Sequence, residues 1–263
     1  MSIVAKIKFT DYVSSVAKAL DTIGAAGRLP DDKLIIIKPN LTLADAPPVT
    51  TNLGAARAVL EYCRAHTSAE LAIGEGCGSG TTDEVFQATG YADLAGEYDV
   101  RLIDFNTAES VKLSNPNALQ LKEFHLPVVV QDAFVISLPV LKDHCFTVTT
   151  IALKNMFGLA PGRYYQGCWN KSQLHSPSTH KSVFDVCLYK APDLSVVDAT
   201  VALTGMHLSG TPKNLGLILA SFDPVAVDAV GSELLGHDPA AIEYLQLADG
   251  SLGSMDDIQL IEA

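Results

Sequence analysis

Basic residues are scarce in this sequence. Lysine and arginine together number 18 of 263 residues, against 30 aspartates and glutamates, so the formal net charge is −12. A chain of that sign repels nucleic acid and anionic lipid, because binding either relies on Lys and Arg displacing counterions. Neither partner is expected. Long apolar runs are lacking too: none approaches the ~18 residues that span a bilayer. The first residues, from Met1 to Phe9, read as a strand carrying Lys6 and Lys8, without the apolar stretch and small-residue cleavage site of a signal peptide. A cytoplasmic location is expected.

Cysteine is sparse and irregularly spaced. Cys63, Cys77, Cys145, Cys168 and Cys187 form no Cys-x-x-Cys pair, which argues against a zinc ribbon or ferredoxin cluster held by this chain alone. Charged residues make up only 18% of the sequence and hydrophobic ones 48%, so a disordered chain is excluded. The length is enough to bury a full core, either as one α/β domain over residues 1–263 or as two interlocked lobes with a boundary near 106–130.

What is present is an alternation of short apolar runs with segments of helical period. Ile3 to Phe9, Leu34 to Ile37, Leu71 to Gly74, Val100 to Phe105, Ala133 to Leu138, Leu194 to Val197, Leu215 to Ala220 and Ile258 to Ile261 read as strands. Helices are predicted from Asp11, over Asn52 to Ala65, from Thr81 with Glu84 completing a capping box, over Thr149 to Phe157, and from Asp223-Pro224 to Leu235. This predicts an α/β fold with a mostly parallel sheet and helices on both faces. Glu109 to Leu113 and Leu119 to Phe124, around Ser114-Asn115-Pro116-Asn117, read as an inserted β-hairpin added antiparallel to that sheet. Leu159 to Ser178 has no clear period and is long for a connection, as expected of a lid or binding loop.

In open parallel sheets, ligands bind beyond the carboxyl ends of the strands. That rule selects Lys38-Pro39-Asn40, Glu75 with the glycine-rich run to Thr82, Pro139 to His144, and Asp198-Ala199-Thr200. Lys38, Lys142, His144, Lys154 and Arg163 would then gather positive charge in an acidic chain, which predicts a small carboxylate or phosphate ligand. Lys154 lies inside the apolar run Ile151 to Phe157, where an unpaired charge is costly, so it needs an acid such as Asp143 or a ligand. His144, Lys142 and Lys154 form the candidate catalytic set, with His144 moving a proton near neutral pH. Lys38, Asn40, Asn155, Arg163, Glu75 and Asp198 form the candidate substrate-binding set. The competing reading makes Lys38 and Lys142 exposed lysines, His144 structural and Cys145 a small hydrophobe. The glycines from Gly74 to Gly80 read equally as an anion cradle or a flexible turn.

A resemblance adds to this reading. Lys38-Pro39-Asn40, Gly74-Glu75-Gly76, Leu138-Pro139-Val140-Leu141-Lys142-Asp143-His144 and Ala152-Leu153-Lys154-Asn155-Met156-Phe157-Gly158 resemble the bacterial and archaeal domain-of-unknown-function family numbered 362. The likeness continues through Val197-Asp198 and the run from Ser221 to Asp228. It implies a single α/β unit, often adjoining iron–sulfur or redox proteins. Many relatives carry a Cys-rich ferredoxin-like segment that this chain lacks, so electron transfer implies a separate redox partner. Where relatives tend to have glycine-rich sequence after the Val-Asp strand, this chain has Ala199-Thr200 and Thr204-Gly205-Met206-His207. A looser likeness, without a shared motif, exists to the lactate racemase superfamily, which is built around Lys and His near an anionic hydroxy acid.

Two function classes follow. The first is an enzyme performing proton or hydride transfer on a small anion. The second is a metal or iron–sulfur cluster handling protein, with Cys145, His175 and His180 as candidate metal ligands brought together by folding. A non-catalytic assembly module, checked as a homodimer, is a third. The cofactor is open between none, a metal ion and a cluster.

Overall fold

A computed structural model describes residues 1–263. Twelve strands are present: β1 (Ser2–Lys8), β2 (Ile35–Pro39), β3 (Leu71–Glu75), β4 (Arg101–Asp104), β5 (Ser110–Ser114), β6 (Glu123–Pro127), β7 (Phe134–Leu138), β8 (Val140–His144), β9 (Val148–Thr150), β10 (Leu194–Thr204), β11 (Thr211–Ser221) and β12 (Ile258–Glu262). The main sheet runs β12-β1-β11-β10-β7-β2-β3-β4, and β8 pairs with β10 and with β9 beside this path. Along the path β11 alone runs against the other strands. The sheet is therefore mostly parallel, as predicted.

The period of two along each strand sorts the core onto two faces. Ile35 and Ile37 of β2, Ile136 and Leu138 of β7, and Leu194 and Val196 of β10 join one apolar cluster. That cluster also takes the buried stripes of the helices Tyr12–Thr22 and Leu53–His66. The intervening Ile36 and Val135 face the opposite cluster, with Val183 and Val186 of the helix Thr179–Tyr189, and Val197 and Ala199 face the helix Pro224–Leu235. Alternation of this kind gives both faces an apolar surface to bury, which is why helices cover both. Asp11, Asn52 and Asp223 cap their helices, and Thr81 and Glu84 close the capping box.

Three local expectations are corrected. The hairpin is not an addition to the main sheet: β5 and β6 form a separate two-stranded sheet. Its second arm starts at Glu123 rather than Leu119, because the Asp185 carboxylate accepts the amides of Leu119, Gln120 and Leu121 at 2.6–2.7 Å and ties that loop to the helix Thr179–Tyr189. Thr149 to Phe157 is not one helix. It opens with the end of β9, continues as one helical turn at Ala152–Asn155, and passes into a 3₁₀ turn from Met156. The segment after β7 is likewise not a loop, since Val140–His144 resumes as strand beside β10. Leu159 to Ser178 is irregular as predicted, apart from short helical turns at Gly162–Tyr165 and Ser172–His175.

Candidate functional site

From β2 the chain moves outward to β3 and β4 on one side, then returns to β7 and β10 on the other. The crevice at the carboxyl ends of β2 and β7 is therefore a topological switch point, where such sheets bind ligands. A cavity of about 350 Å³ opens there. Its lining includes Lys38, Lys142, Lys154 and Lys171, the histidines His144, His175 and His207, and a single acid, Glu75. Four lysines against one carboxylate reverse the sign of the molecule as a whole.

Each lysine is held differently. Lys38, 1% exposed, gives its ammonium to Glu75 Oε2 at 2.8 Å, to Pro39 O at 3.0 Å and to Asn155 Oδ1 at 3.2 Å, using all three donors. Burial lowers its pKa while Glu75 opposes that shift. Glu75 also accepts Gly76 N at 2.8 Å and Leu41 N at 3.1 Å. Gly158 leaves room for this pair: a Cβ there would stand 1.9 Å from Glu75 Oε1 and 2.5 Å from Lys38 Nζ. Lys142 donates only to Val49 O at 2.7 Å, and burial brings its pKa down to about 7. Lys171 reaches over from the irregular segment to Gly76 O at 2.6 Å and Gly158 O at 3.3 Å, with burial lowering its pKa to about 8.

Lys154 stands apart. It is 8% exposed and has no hydrogen-bond or ion-pair partner in the protein; its ammonium rests 3.7 Å from the centre of the Phe157 ring. Burial, then the like charges of Lys142, Lys171 and Lys38, push its pKa down to about 7. The expected partner Asp143 points away, to His237 Nε2 at 2.7 Å and to the amide of Gly205 at 2.6 Å. The reason is the strand itself: on β8, Lys142 and His144 share the cavity face and Asp143 takes the other.

His144 is also constrained. Its Nδ1 accepts the Phe146 amide at 3.1 Å, and its ring stacks on His207 with centroids 4.1 Å apart. Burial and the neighbouring Lys154 hold its pKa far below that of a free imidazole, so the ring is neutral and its proton sits on Nε2. Burial also lowers His175 and His207 to about 4, with the lysines adding to the shift. Asn155 is fully engaged. Its Nδ2 donates to Lys38 O and Ser137 Oγ, and its Oδ1 accepts from Lys38 and Asn40. Asn40 Oδ1, by contrast, is a buried acceptor without a donor.

The structure gathers Lys38, Asn40, Glu75, Lys142, His144, Lys154, Asn155 and His175 around one cavity. Four other expected residues, Arg163, Asp198, His180 and Cys145, lie outside its lining. Arg163 is exposed and donates to Thr107 O and Ala108 O. Asp198 is buried against Tyr12 and Thr200. His180 accepts the Tyr244 amide and stacks on the Tyr244 ring. Cys145 meets His144 and His207, not His175 and His180: these three residues offer ligand atoms within 4.8 Å of one another. The cysteines do not suit a cluster held by this chain, because Cys63 and Cys187 lie in the cores on opposite faces of the sheet. The glycine-rich run is no anion cradle, since Gly76 N is held by Glu75 and Gly78 N and Ser79 N by Thr42 O.

Lys171, His207, Phe146 and Trp169 line the cavity although nothing in their local sequence marks them. Lys171 and Trp169 lie within the aperiodic stretch expected to form a lid, which is the only signal that points their way. His207 comes from the tip of the long β10–β11 hairpin, whose length is not legible in the sequence.

Asp228 positions the site from behind. Its carboxylate accepts Ala152 N at 2.7 Å and Leu153 N at 3.3 Å, anchoring the turn that carries Lys154 and Asn155, and takes the Tyr244 hydroxyl at 3.1 Å. Asp228→Ala leaves buried amides unpaired and is expected to lower stability by about 2–4 kcal/mol. Urea denaturation checks this, and an unchanged midpoint would remove Asp228 from the support of Lys154.

The comparisons with known proteins agree with this frame. A relative described as a thylakoid-associated protein, from Synechocystis sp., is 28% identical over 238 residues, spanning 88% of this chain and 72% of its own. Among solved structures, the lactate racemase apoprotein from Thermoanaerobacterium thermosaccharolyticum superposes with a TM-score of 0.57 at 14% identity, over 88% of this chain. This chain spans only 56% of that protein's length. A Thermotoga maritima protein gives 0.50 at 12% identity, over 87% of this chain and 60% of its own. At such identities the two structures share a fold with this chain. No helix of the chain is long and apolar enough to cross a membrane. The strand bearing Lys142 and His144, the turn bearing Lys154 and Asn155, and the helix bearing Asp228 all fall inside the span 35–233 that matches the family described as Domain of unknown function (DUF362), and the chain belongs to that family.

Proposed function

We propose that the cavity binds a small organic anion and exchanges a proton with it, as an enzyme acting beside a carboxylate or phosphate. One observation carries the reading: Lys154 is largely buried, and its ammonium meets the Phe157 ring and the cavity with no acid or carbonyl to answer its charge. A cation left in that position costs stability unless a ligand supplies the opposite charge. Lys154 and Lys142, both with pKa near 7, are suited to hold the anion when protonated and to act as general bases when neutral. His144, neutral with its proton on Nε2, serves as a hydrogen-bond donor rather than the proton carrier its sequence position suggests. Lys38, Glu75 and Asn155 fix the floor. Arg163, Asp198 and His180 take no part in this reading.

The test is the pH dependence of binding. Anion affinity is expected to be full below pH 7 and to fall as Lys154 and Lys142 lose their protons, by about ten-fold or more between pH 6.5 and 8.5. Binding above pH 7 should draw protons from the buffer. Titration calorimetry with acetate, lactate and inorganic phosphate in buffers of different ionisation enthalpy measures both effects. Affinity that is flat with pH, without proton uptake, would refute the role given to the lysines.

A second reading rests on the group His144, Cys145 and His207, where Cys145 Sγ and His207 Nδ1 are 3.7 Å apart. Thiolate and imidazole bonded to one tetrahedral metal at ~2.3 Å and ~2.0 Å stand at about that separation. We place it second because His144 Nδ1 already holds the Phe146 amide. Stoichiometric metal in anaerobically purified protein, lost in Cys145→Ser, would favour it.

A further inference from the structure

We propose that the ligand is an amphiphilic anion: a carboxylate or phosphate head on an aliphatic or aromatic body. This rests on the anion reading above and names its substrate class. The lysines occupy the floor of the cavity, but its walls are aromatic. The His175 ring is a hub with Phe146, Phe157 and Trp169 at centroid distances of 5.1, 5.7 and 6.2 Å. The stacked His144 and His207 rings continue the wall at 4.1 Å.

The opening is apolar as well. Phe146 is 49% exposed, Trp169 53% and Leu208 38%, and all three line the same cavity. Single exposed apolar side chains are ordinary on a protein surface, but three around one opening, supplied by three separate segments, mark a surface that is covered when in use. Trp169 comes from the irregular segment and Leu208 from the β10–β11 tip.

Size points the same way. At about 30 Å³ per water, the cavity has room for on the order of ten waters, and its volume falls in the range that encloses drug-sized ligands. An acid the size of lactate would leave most of the aromatic wall uncovered. Lys154, 3.7 Å from the Phe157 ring centre, stands where head and body would meet.

Titration calorimetry of the full chain at pH 6.5 tests this, using n-alkyl carboxylates from butanoate to decanoate, the matching alkyl phosphates, and the matching alcohols. Each added methylene is expected to tighten binding about four-fold until the cavity is full, the ratio set by ~0.8 kcal/mol per buried methylene. Alcohols should bind at least 100-fold more weakly than acids of the same length. Trp169→Ala should compress the ratio of decanoate to butanoate affinity about ten-fold. Affinity independent of chain length would overturn the amphiphilic ligand and leave the anion reading standing. Alcohols binding as well as acids would overturn it too. Failure of every acid and phosphate to bind would sink both.

Discussion

Lys154→Met is expected to raise the stability of the unliganded protein while abolishing its affinity for anions. The side chain is largely buried and its ammonium has no hydrogen-bond or ion-pair partner, only the Phe157 ring and the cavity, and its pKa falls from 10.5 to about 7 in the folded state. In the unfolded chain the group keeps its ordinary affinity for a proton, so between pH 7 and pH 10.5 the unfolded state binds more protons than the folded one, and stability rises with pH across that window. At or below pH 7 the full penalty is present. With ~1.4 kcal/mol for each tenfold change in proton affinity, and allowance for the packing of the lysine stem, removing the charge should contribute about 2–4 kcal/mol at pH 6.5. The advantage of the variant should shrink to nothing as pH approaches 10.5. Anion affinity should fall about 100-fold or more, the usual consequence of deleting one member of a desolvated charge pair. Thermal unfolding from pH 6 to 10, with and without a binding anion, measures both. A variant less stable than the parent at pH 6.5 would mean that the Phe157 contact outweighs the desolvation of the charge, and Lys154 would no longer need an anion.

Glu75→Gln should do the opposite and destabilise the protein by about 3–5 kcal/mol. Lys38 and Glu75 are 1% and 3% exposed at the side chain and 2.8 Å apart, so removing the carboxylate strands a buried ammonium. The glutamine oxygen can replace only one of the two carboxylate oxygens, so its NH2 would face the amide of either Leu41 or Gly76, which has no lone pair to offer it. The double replacement Lys38→Met with Glu75→Leu should recover much of the loss, because it removes both charges together. Gly158→Ala should behave like Glu75→Gln, since its Cβ would enter the space of both charged groups. Chemical denaturation of these variants beside the parent tests the set. If the Glu75→Gln protein and the parent unfold at the same denaturant concentration, the pair holds nothing together.

Lys154→Met and Glu75→Gln differ in sign because the two lysines differ, although their sequence settings look alike. Both lysines sit beside apolar runs that suit a buried strand or turn, and both are legible as unusual on that ground. Lys38 is matched by an acid 37 residues away and an amide 117 residues away. No local pattern could announce those partners, because they meet only where β2, β3 and the turn Ala152–Asn155 converge. The partner expected for Lys154 fails for a local reason. In the sequence Asp143 reads as part of a loop, where side-chain direction is free, but β8 is a strand and its alternation turns Asp143 away.

Most strands of the main sheet, the helix caps and the gathering of Lys38, Lys142, His144 and Lys154 at one rim can be read from the sequence, whereas β8 and β9 cannot. Hydrophobic periodicity and cap chemistry act over a few residues, and the rule that ligands sit at the carboxyl ends of parallel strands needs only the strand boundaries. The tertiary structure decided which charges are answered and which are not. It paired Lys38 with Glu75, left Lys154 alone, neutralised three imidazoles and carried Trp169, Lys171 and His207 to the opening. Desolvation and pairing depend on neighbours far away in the chain, and those neighbours exist only once the sheet has assembled.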